Sequence, residues 1–310
     1  MLSPRAAGGH ATAALVENAD CPLEGGRLYL MTATGGWYSG AMSPGAACEA
    51  VAAVAFSPNY AHDSLIIAAV NNPPAIMRSV DIGRSWKGPD TPFPEGTTFR
   101  ALLLSPSYAN DQTIFRLTNA GLLYRSRDGG RNWQLLSQRL EHATVVNGAD
   151  GRLHLFGARG GRVLRSKDAG ETWTEAGATP NSEPVTMLAA ARSTEAEPVL
   201  YAFTGGGQFA RSTDGGASWA TVMQTSPAAV QLALAHDVAE EQRPVFLLHE
   251  QAITASYDGM ISVWTSTAAD EATRYRPTAI AVPPDFASSP YLTIGTFDGQ
   301  IIRIRADVQP

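Results

Sequence analysis

Five copies of one short pattern govern what this 310-residue chain can fold into. "RSVDIGRSW" covers Arg78 to Trp86, "RSRDGGRNW" Arg125 to Trp133, "RSKDAGETW" Arg165 to Trp173 and "RSTDGGASW" Arg211 to Trp219. A looser copy, "ASYDGMISVW", covers Ala255 to Trp264; its Trp comes one residue later, which implies a different turn. The aspartates Asp81, Asp128, Asp168, Asp214 and Asp258 lie 47, 40, 46 and 44 residues apart. A fixed period of this size marks a repeat architecture in which each unit buries its apolar faces against its neighbours.

The surroundings of each copy repeat as well. Upstream lies an apolar run ("SLIIAAV", "TIFRLTN", "LHLFGARGG", "LYAFTGGG", "VFLLHEQ"), and further upstream another ("VAAVAFSP", "FRALLLSP", "ATVVNGAD", "VTMLAAAR", "VQLALAHD"). A short tail such as "WQLLS" or "WATVM" follows the Trp. Short β-rich runs bounded by Gly, Pro, Asn and Asp read as strands. The unit is therefore a four-stranded meander of about 44 residues. Strands recur without the turn in "RLYLMTATGGWYSGAM" and in "TAIAVPPDFASSPYLTIGTFDGQIIRIRAD", which brings the count of units to seven. The expected fold is all-β: a seven-bladed β-propeller of four-stranded antiparallel blades, forming a single domain over residues 1–310. "ATAALV" near the N-terminus is expected to be the inner strand of the first blade, and the last unit lacks a fourth strand.

The recurring Ser-x-Asp-x-Gly-x-x-Trp pattern resembles the Asp-box, or bacterial neuraminidase repeat. Four copies match: Ser79, Asp81, Gly83, Trp86; Ser126, Asp128, Gly130, Trp133; Ser166, Asp168, Gly170, Trp173; and Ser212, Asp214, Gly216, Trp219. The fifth keeps Ser256 and Asp258 and displaces Trp264. A carboxylate in a tight hairpin accepts backbone N–H bonds, Gly supplies the positive φ, and Trp covers a sheet edge. These residues are read as structural, and the resemblance implies the same, since Asp-boxes lie at the blade periphery. The arginines heading the boxes, Arg78, Arg125, Arg165 and Arg211, are expected on third strands, too far apart around a ring to meet on one ligand.

Sialidases share the boxes, but this chain lacks their Arg-Ile-Pro motif, and no catalytic residue can be carried over. "RYRP" at Arg274–Pro277 offers no assignable partner set. The six histidines show no metal-ligand spacing, so neither metal nor cofactor is expected. No P-loop, dinucleotide or nucleophile-elbow motif is present. Net charge is −6, and Lys87 and Lys167 are the only lysines, which argues against a nucleic-acid surface. No apolar run has signal-peptide or membrane-spanning length, so the chain reads as soluble and cytoplasmic rather than exported. Cys21 and Cys48 either pair or remain two thiols, the latter being the simpler reading.

Propeller ligands usually bind at a channel mouth, beside the starts of the innermost strands. The candidate binding residues there are Arg100, Glu141, His142, Glu183, Tyr275 and Arg276, with Glu49 and Gln231 alongside. Arg100, His142 and Arg276 would suit an anion; the plainer reading is a hydrated polar rim. "FSPNYAHDSLII" and "LSPSYANDQTIF" share a Ser-Pro-x-Tyr-x-x-Asp pattern with uncharacterised bacterial propellers. "VPPDFASSPYLTIGTFDG" is a drifted relative. Pro58, Pro106 and Pro284 would fix the backbone while Tyr60, Tyr108 and Phe286 pack beneath as inter-blade braces. The plan also resembles propellers of the photosystem II assembly-factor and sortilin types, which implies non-catalytic protein binding. The expected function is a protein-binding scaffold or assembly subunit. The alternative is a carbohydrate-active propeller, hydrolase or lectin; a small-ligand enzyme is the weakest reading.

Overall fold

A computed structural model of the chain describes residues 11–17, 27–32, 37–39, 51–71, 74–88, 93–193, 197–225, 229, 231–235, 243–249, 252–256, 264–266, 277–282, 291–296 and 301–305. The chain falls into two compact units, residues 1–139 and 140–310. In the first, β1 (Ala11–Glu17), β2 (Arg27–Thr32) and β3 (Trp37–Ser39) form one sheet. A second holds β4 (Val51–Phe56), β5 (Ile66–Asn71) and β6 (Pro74–Ser79). A third holds β7 (Phe99–Leu104), β8 (Ile114–Thr118), β9 (Leu122–Ser126) and β10 (Gln134–Arg139).

The second unit continues the plan. Its first blade is β11 (His142–Asn147), β12 (Leu153–Arg159), β13 (Arg162–Ser166) and β14 (Thr174–Ala178). Next come β15 (Val185–Ala191), β16 (Val199–Thr204), β17 (Gln208–Ser212) and β18 (Ala220–Gln224), then β19 (Gln231–Leu234), β20 (Val245–Leu248), β21 (Ile253–Ser256) and β22 (Trp264–Ser266). The last sheet is β23 (Pro277–Ala281), β24 (Tyr291–Thr296) and β25 (Ile301–Arg305). Every pairing is antiparallel between consecutive strands, as short connections require.

The expectation of seven four-stranded blades is corrected. Five blades, one for each copy of the Ser-Asp pattern, run from β4 to β22, each of three or four strands. The flanking sheets β1–β3 and β23–β25 are three-stranded and carry no copy of the pattern. Counting those bare strand runs as full blades produced the larger number. Among the described residues the β4–β6 blade has no fourth strand, and beyond β6 there is the Arg78–Lys87 bridge. Ala11–Glu17 pairs with Arg27–Thr32, so it is the first strand of the first sheet.

Burial follows strand position. All six residues of β16 (Val199–Thr204) are buried, as are Ile66, Ile67, Ala68 and Ala69 of β5. The outermost strands β14 and β18 are largely exposed. In the first unit, Ala55, Ile67 and Ile76 of one blade interlock with Phe99, Leu102 and Ile114 of the next. In the second, Phe156 and Val163 meet Ala190 and Leu200, and Tyr201, Phe203 and Phe209 meet Leu234, Val245 and Leu247. Each fully buried side chain of this size contributes about 1.5–3 kcal/mol.

The recurring turns share one geometry. The Ser79, Ser126, Ser166 and Ser212 hydroxyls each donate to the aspartate two residues on, at 2.7–2.8 Å. Each serine Oγ accepts the N–H of the motif glycine at 2.7–2.9 Å. Each aspartate accepts the N–H four residues on, at 2.9–3.0 Å. The Trp86, Trp133, Trp173 and Trp219 indoles donate back to the motif glycine carbonyls at 3.0–3.1 Å. Ser256 ends β21, while Asp258 lies outside the described residues. The fifth hairpin keeps its length all the same. Ala255 pairs with Trp264 nine residues on, the separation found for Arg78–Lys87, Arg125–Gln134, Arg165–Thr174 and Arg211–Ala220. The shift therefore places Trp264 itself at the position paired with β21.

Two consecutive residues have positive φ in each regular turn: Ile82–Gly83, Gly129–Gly130, Ala169–Gly170 and Gly215–Gly216. Ala169 adopts φ 57° despite its Cβ, a strained choice that Gly129 and Gly215 avoid. Ala169→Gly is expected to raise stability by about 1 kcal/mol, read as a higher urea midpoint at unchanged slope.

The carboxylates of Asp81, Asp128, Asp168 and Asp214 are each held at about 2. For Asp81 the Ser85 hydroxyl dominates; for the others burial pushes the value up and the turn's N–H and hydroxyl donors outweigh it. Unfolded carboxylates titrate near ~4, so the folded state gains from these four groups above that pH. That stabilisation is lost as pH falls from about 4 to about 2. Urea midpoints measured at pH 5, 4, 3 and 2 should fall most steeply over the last two steps.

The Ser-Pro-x-Tyr-x-x-Asp loops contain single helical turns, α1 (Tyr60–Asp63) and α2 (Tyr108–Asp111), where only strands and loops were expected. Ser57 and Ser105 hydroxyls donate to Asp63 and Asp111 at 2.6 Å in both. Tyr60 is fully buried edge-on to Phe56. Tyr108 packs in the core shared by the two blades, as expected of a brace. Pro284 and Phe286, like Cys21 and Cys48, lie outside the described residues.

Candidate functional site

The rim residues do not all behave as a hydrated ring. Arg100, exposed on β7, sends Nε to Asn119 Oδ1 at 3.5 Å. Glu141 Oε2 accepts the Gly160 N–H at 3.0 Å, within the β12–β13 turn of its own blade. Glu183 Oε2 accepts from the Thr204 hydroxyl at 2.6 Å and the Gly206 N–H at 3.1 Å, doing the same for the β16–β17 turn. His142 opens β11 opposite Ala158. Gln231 clamps the backbone of Ile280 through both its amide atoms, each at 2.8 Å. Glu49, Tyr275 and Arg276 lie outside the described residues. Two of the rim carboxylates thus serve hairpins. The box-heading arginines also serve the scaffold: Arg125 Nη2 donates to Gln134 at 2.7 Å, and Arg165 reaches Glu197, which also pairs with Lys167.

A different residue stands out once the blades are compared in register. Every copy pairs its motif serine with a second-strand residue: Ile66, Ile114, Leu155, Leu200 or Val245. Two residues further along that strand the blades carry Ala68, Arg116, Gly157, Ala202 and Leu247. Four are small or apolar, as a position packed between sheets requires; one is arginine. Arg116 is 3% exposed. Its row across the sheet reads Leu102, Arg116, Tyr124, Leu135. The outer member is inverted too. Leu135 is 52% exposed, where the other four-stranded blades place Glu175, Thr221 and Thr265. One row therefore holds a charge where the fold wants an apolar group and an apolar group where it wants a polar one.

The guanidinium lies among aromatic rings. Its central carbon is 3.8 Å from the Phe93 ring centroid, 4.1 Å from Tyr124, 4.8 Å from Trp133 and 5.5 Å from Phe99. Cation–π attraction offsets part of the desolvation, about 2 kcal/mol in a dry setting. Nε and Nη1 are buried without a hydrogen-bond partner. Burial lowers the Arg116 guanidinium to about 10, against an opposing effect of Tyr124, and no carboxylate among the described residues contributes. Trp133 thus has two duties, sealing its turn and packing against the guanidinium. The strand pattern alone hides Arg116 within "TIFRLTN"; aligning the five second strands on their motif serines exposes it. Among the described residues no cluster of metal-ligating side chains occurs, and no helix is long and apolar enough to cross a membrane.

Comparison with known proteins supports the fold. Residues 108–231, about two fifths of the chain, match the family described as the DUF6242 beta propeller domain. No curated protein matches in sequence. Among solved structures, YCF48 bound to D1 peptide is similar over 99% of this chain and 94% of its own, with 17% identity and a TM-score of 0.67. YCF48 from Cyanidioschyzon merolae gives 14% identity and a TM-score of 0.63 over 96% of this chain and 92% of its own. The GH74 enzyme of Niastella koreensis gives 16% and 0.63; the match covers 97% of this chain and 44% of the enzyme. These likenesses establish a β-propeller.

Proposed function

We propose that the chain is a non-catalytic β-propeller that binds a protein partner, as a scaffold or assembly subunit. The inverted row carries this reading: a buried arginine the scaffold does not need, running through Tyr124 to an exposed Leu135. Large apolar groups placed at the surface beside an arginine and aromatic rings are the composition of a protein-binding hot spot. YCF48, of the same fold over nearly the whole chain, is seen with a bound peptide, which supports the reading by analogy. We also read the five serine–aspartate turns as Asp-boxes with a structural duty; the internal hydrogen bonds and indole seals of the four described turns support that assignment. The test is affinity capture from native-host extract with the tagged full chain and with Leu135→Glu. A protein retained by the first, lost with the second, and no change in melting would support it. No protein retained under mild washing, or equal retention by both, would contradict it.

A further inference from the structure

We infer that Arg116 is a carboxylate-recognition site, and that the surface it serves takes an acidic segment of its partner; this rests on the protein-binding reading above. Arg116 is 3% exposed, and two of its guanidinium nitrogens, Nε and Nη1, are buried with no acceptor. No ion pair to Arg116 exists among the described residues, although the chain forms such pairs at Arg162 and Arg165. An arginine charge left dry and unpaired is costly, and aromatic rings satisfy its faces but not its in-plane N–H donors. A group that accepts hydrogen bonds in that plane and also carries negative charge would satisfy the donors and neutralise the charge, and a carboxylate meeting the guanidinium's fork fits both. Four other blades build the same strand position from alanine, glycine or leucine, so the fold is complete without the charge. The half-buried Tyr124 and exposed Leu135 continue the row outward, which gives the ligand an apolar shoulder next to its acid. The chain itself has net charge −6, so general electrostatic attraction does not bring an acidic ligand to it; a local site must.

The probe is a fluorescent hexaglutamate peptide titrated against the full chain by anisotropy, with hexaglutamine as the neutral counterpart and acetate as competitor. Hexaglutamate should bind, hexaglutamine should not, and Arg116→Met should weaken binding by about 30-fold or more. Arg116→Met should melt no lower than the parent, because a methionine stem suits this position in the other blades' pattern. Should that variant fail to fold, Arg116→Lys, which keeps the charge but loses the planar fork, should weaken binding about tenfold. Displacement by acetate would uphold the carboxylate chemistry and identify a free carboxylate as sufficient; resistance to acetate would assign the site to a peptide. Absence of hexaglutamate binding, or equal binding by the Arg116 variants, would overturn the inference. A partner still captured in a Leu135-dependent way would then leave the protein-binding reading intact.

Discussion

Asp128→Ala is expected to lower the stability of the folded chain by about 1–2 kcal/mol, the loss of several charge-assisted turn bonds whose exposed donors water re-satisfies in part. Its carboxylate accepts the Ser126 hydroxyl, the N–H groups of Arg131 and Asn132, and the Asn132 side-chain amide. Alanine leaves these donors without the acceptor that orders the β9–β10 hairpin. The loss propagates, because Trp133 is positioned by this turn and packs on the core shared with the neighbouring blade. Chemical denaturation should show a lower midpoint. Loss of the Ser126 hydroxyl in Ser126→Ala should have a smaller effect in the same direction, since the aspartate keeps its backbone donors.

Gly177→Ala should cost as much or more, about 3 kcal/mol, for a steric reason. A Cβ on Gly177 would stand 2.5 Å from the Gly216 carbonyl oxygen and 2.6 Å from that of Ala217. Both belong to the backbone of the next blade's turn, so no side-chain rotation relieves the clash. Gly177 lies in the outer strand β14, at a shift in its register with β13, which is where that turn needs room to dock. The remedy is separation of the two blades' edges, which also strips Trp219 from Val163 and Leu200. Gly177→Ala should therefore lower the urea midpoint, whereas the same change at Gly151, with an open surrounding but φ +74°, should cost only backbone strain.

Much of this was legible in the sequence because hairpin chemistry is local. Ser126, Asp128, Gly130 and Trp133 fall within eight residues, and their mutual hydrogen bonds follow from their spacing. The strands were legible for the same reason, as with the apolar β16 run. The blade count was not: strand-like runs near both ends imitate the repeat without carrying its Ser-Asp motif. Helical turns at Tyr60 and Tyr108 escaped notice because four residues show no helical period. The rim reading located strand starts correctly but could not foretell that Glu141 and Glu183 bond their own turns, since those contacts span 19 to 23 residues. Arg116 escaped because its oddity is relative. It emerges only when strand register sets it beside Ala68, Gly157, Ala202 and Leu247.

Repeated turns hold the blades, and the row through Arg116 is the surface proposed to meet the partner. The most direct test is the affinity of Asp214→Ala, whose turn shares no residue with the rings around Arg116, for hexaglutamate, measured below its melting point beside its melting curve. The account predicts affinity within about twofold of the parent, in a protein that melts clearly lower. Selective loss of binding with unchanged melting would contradict it.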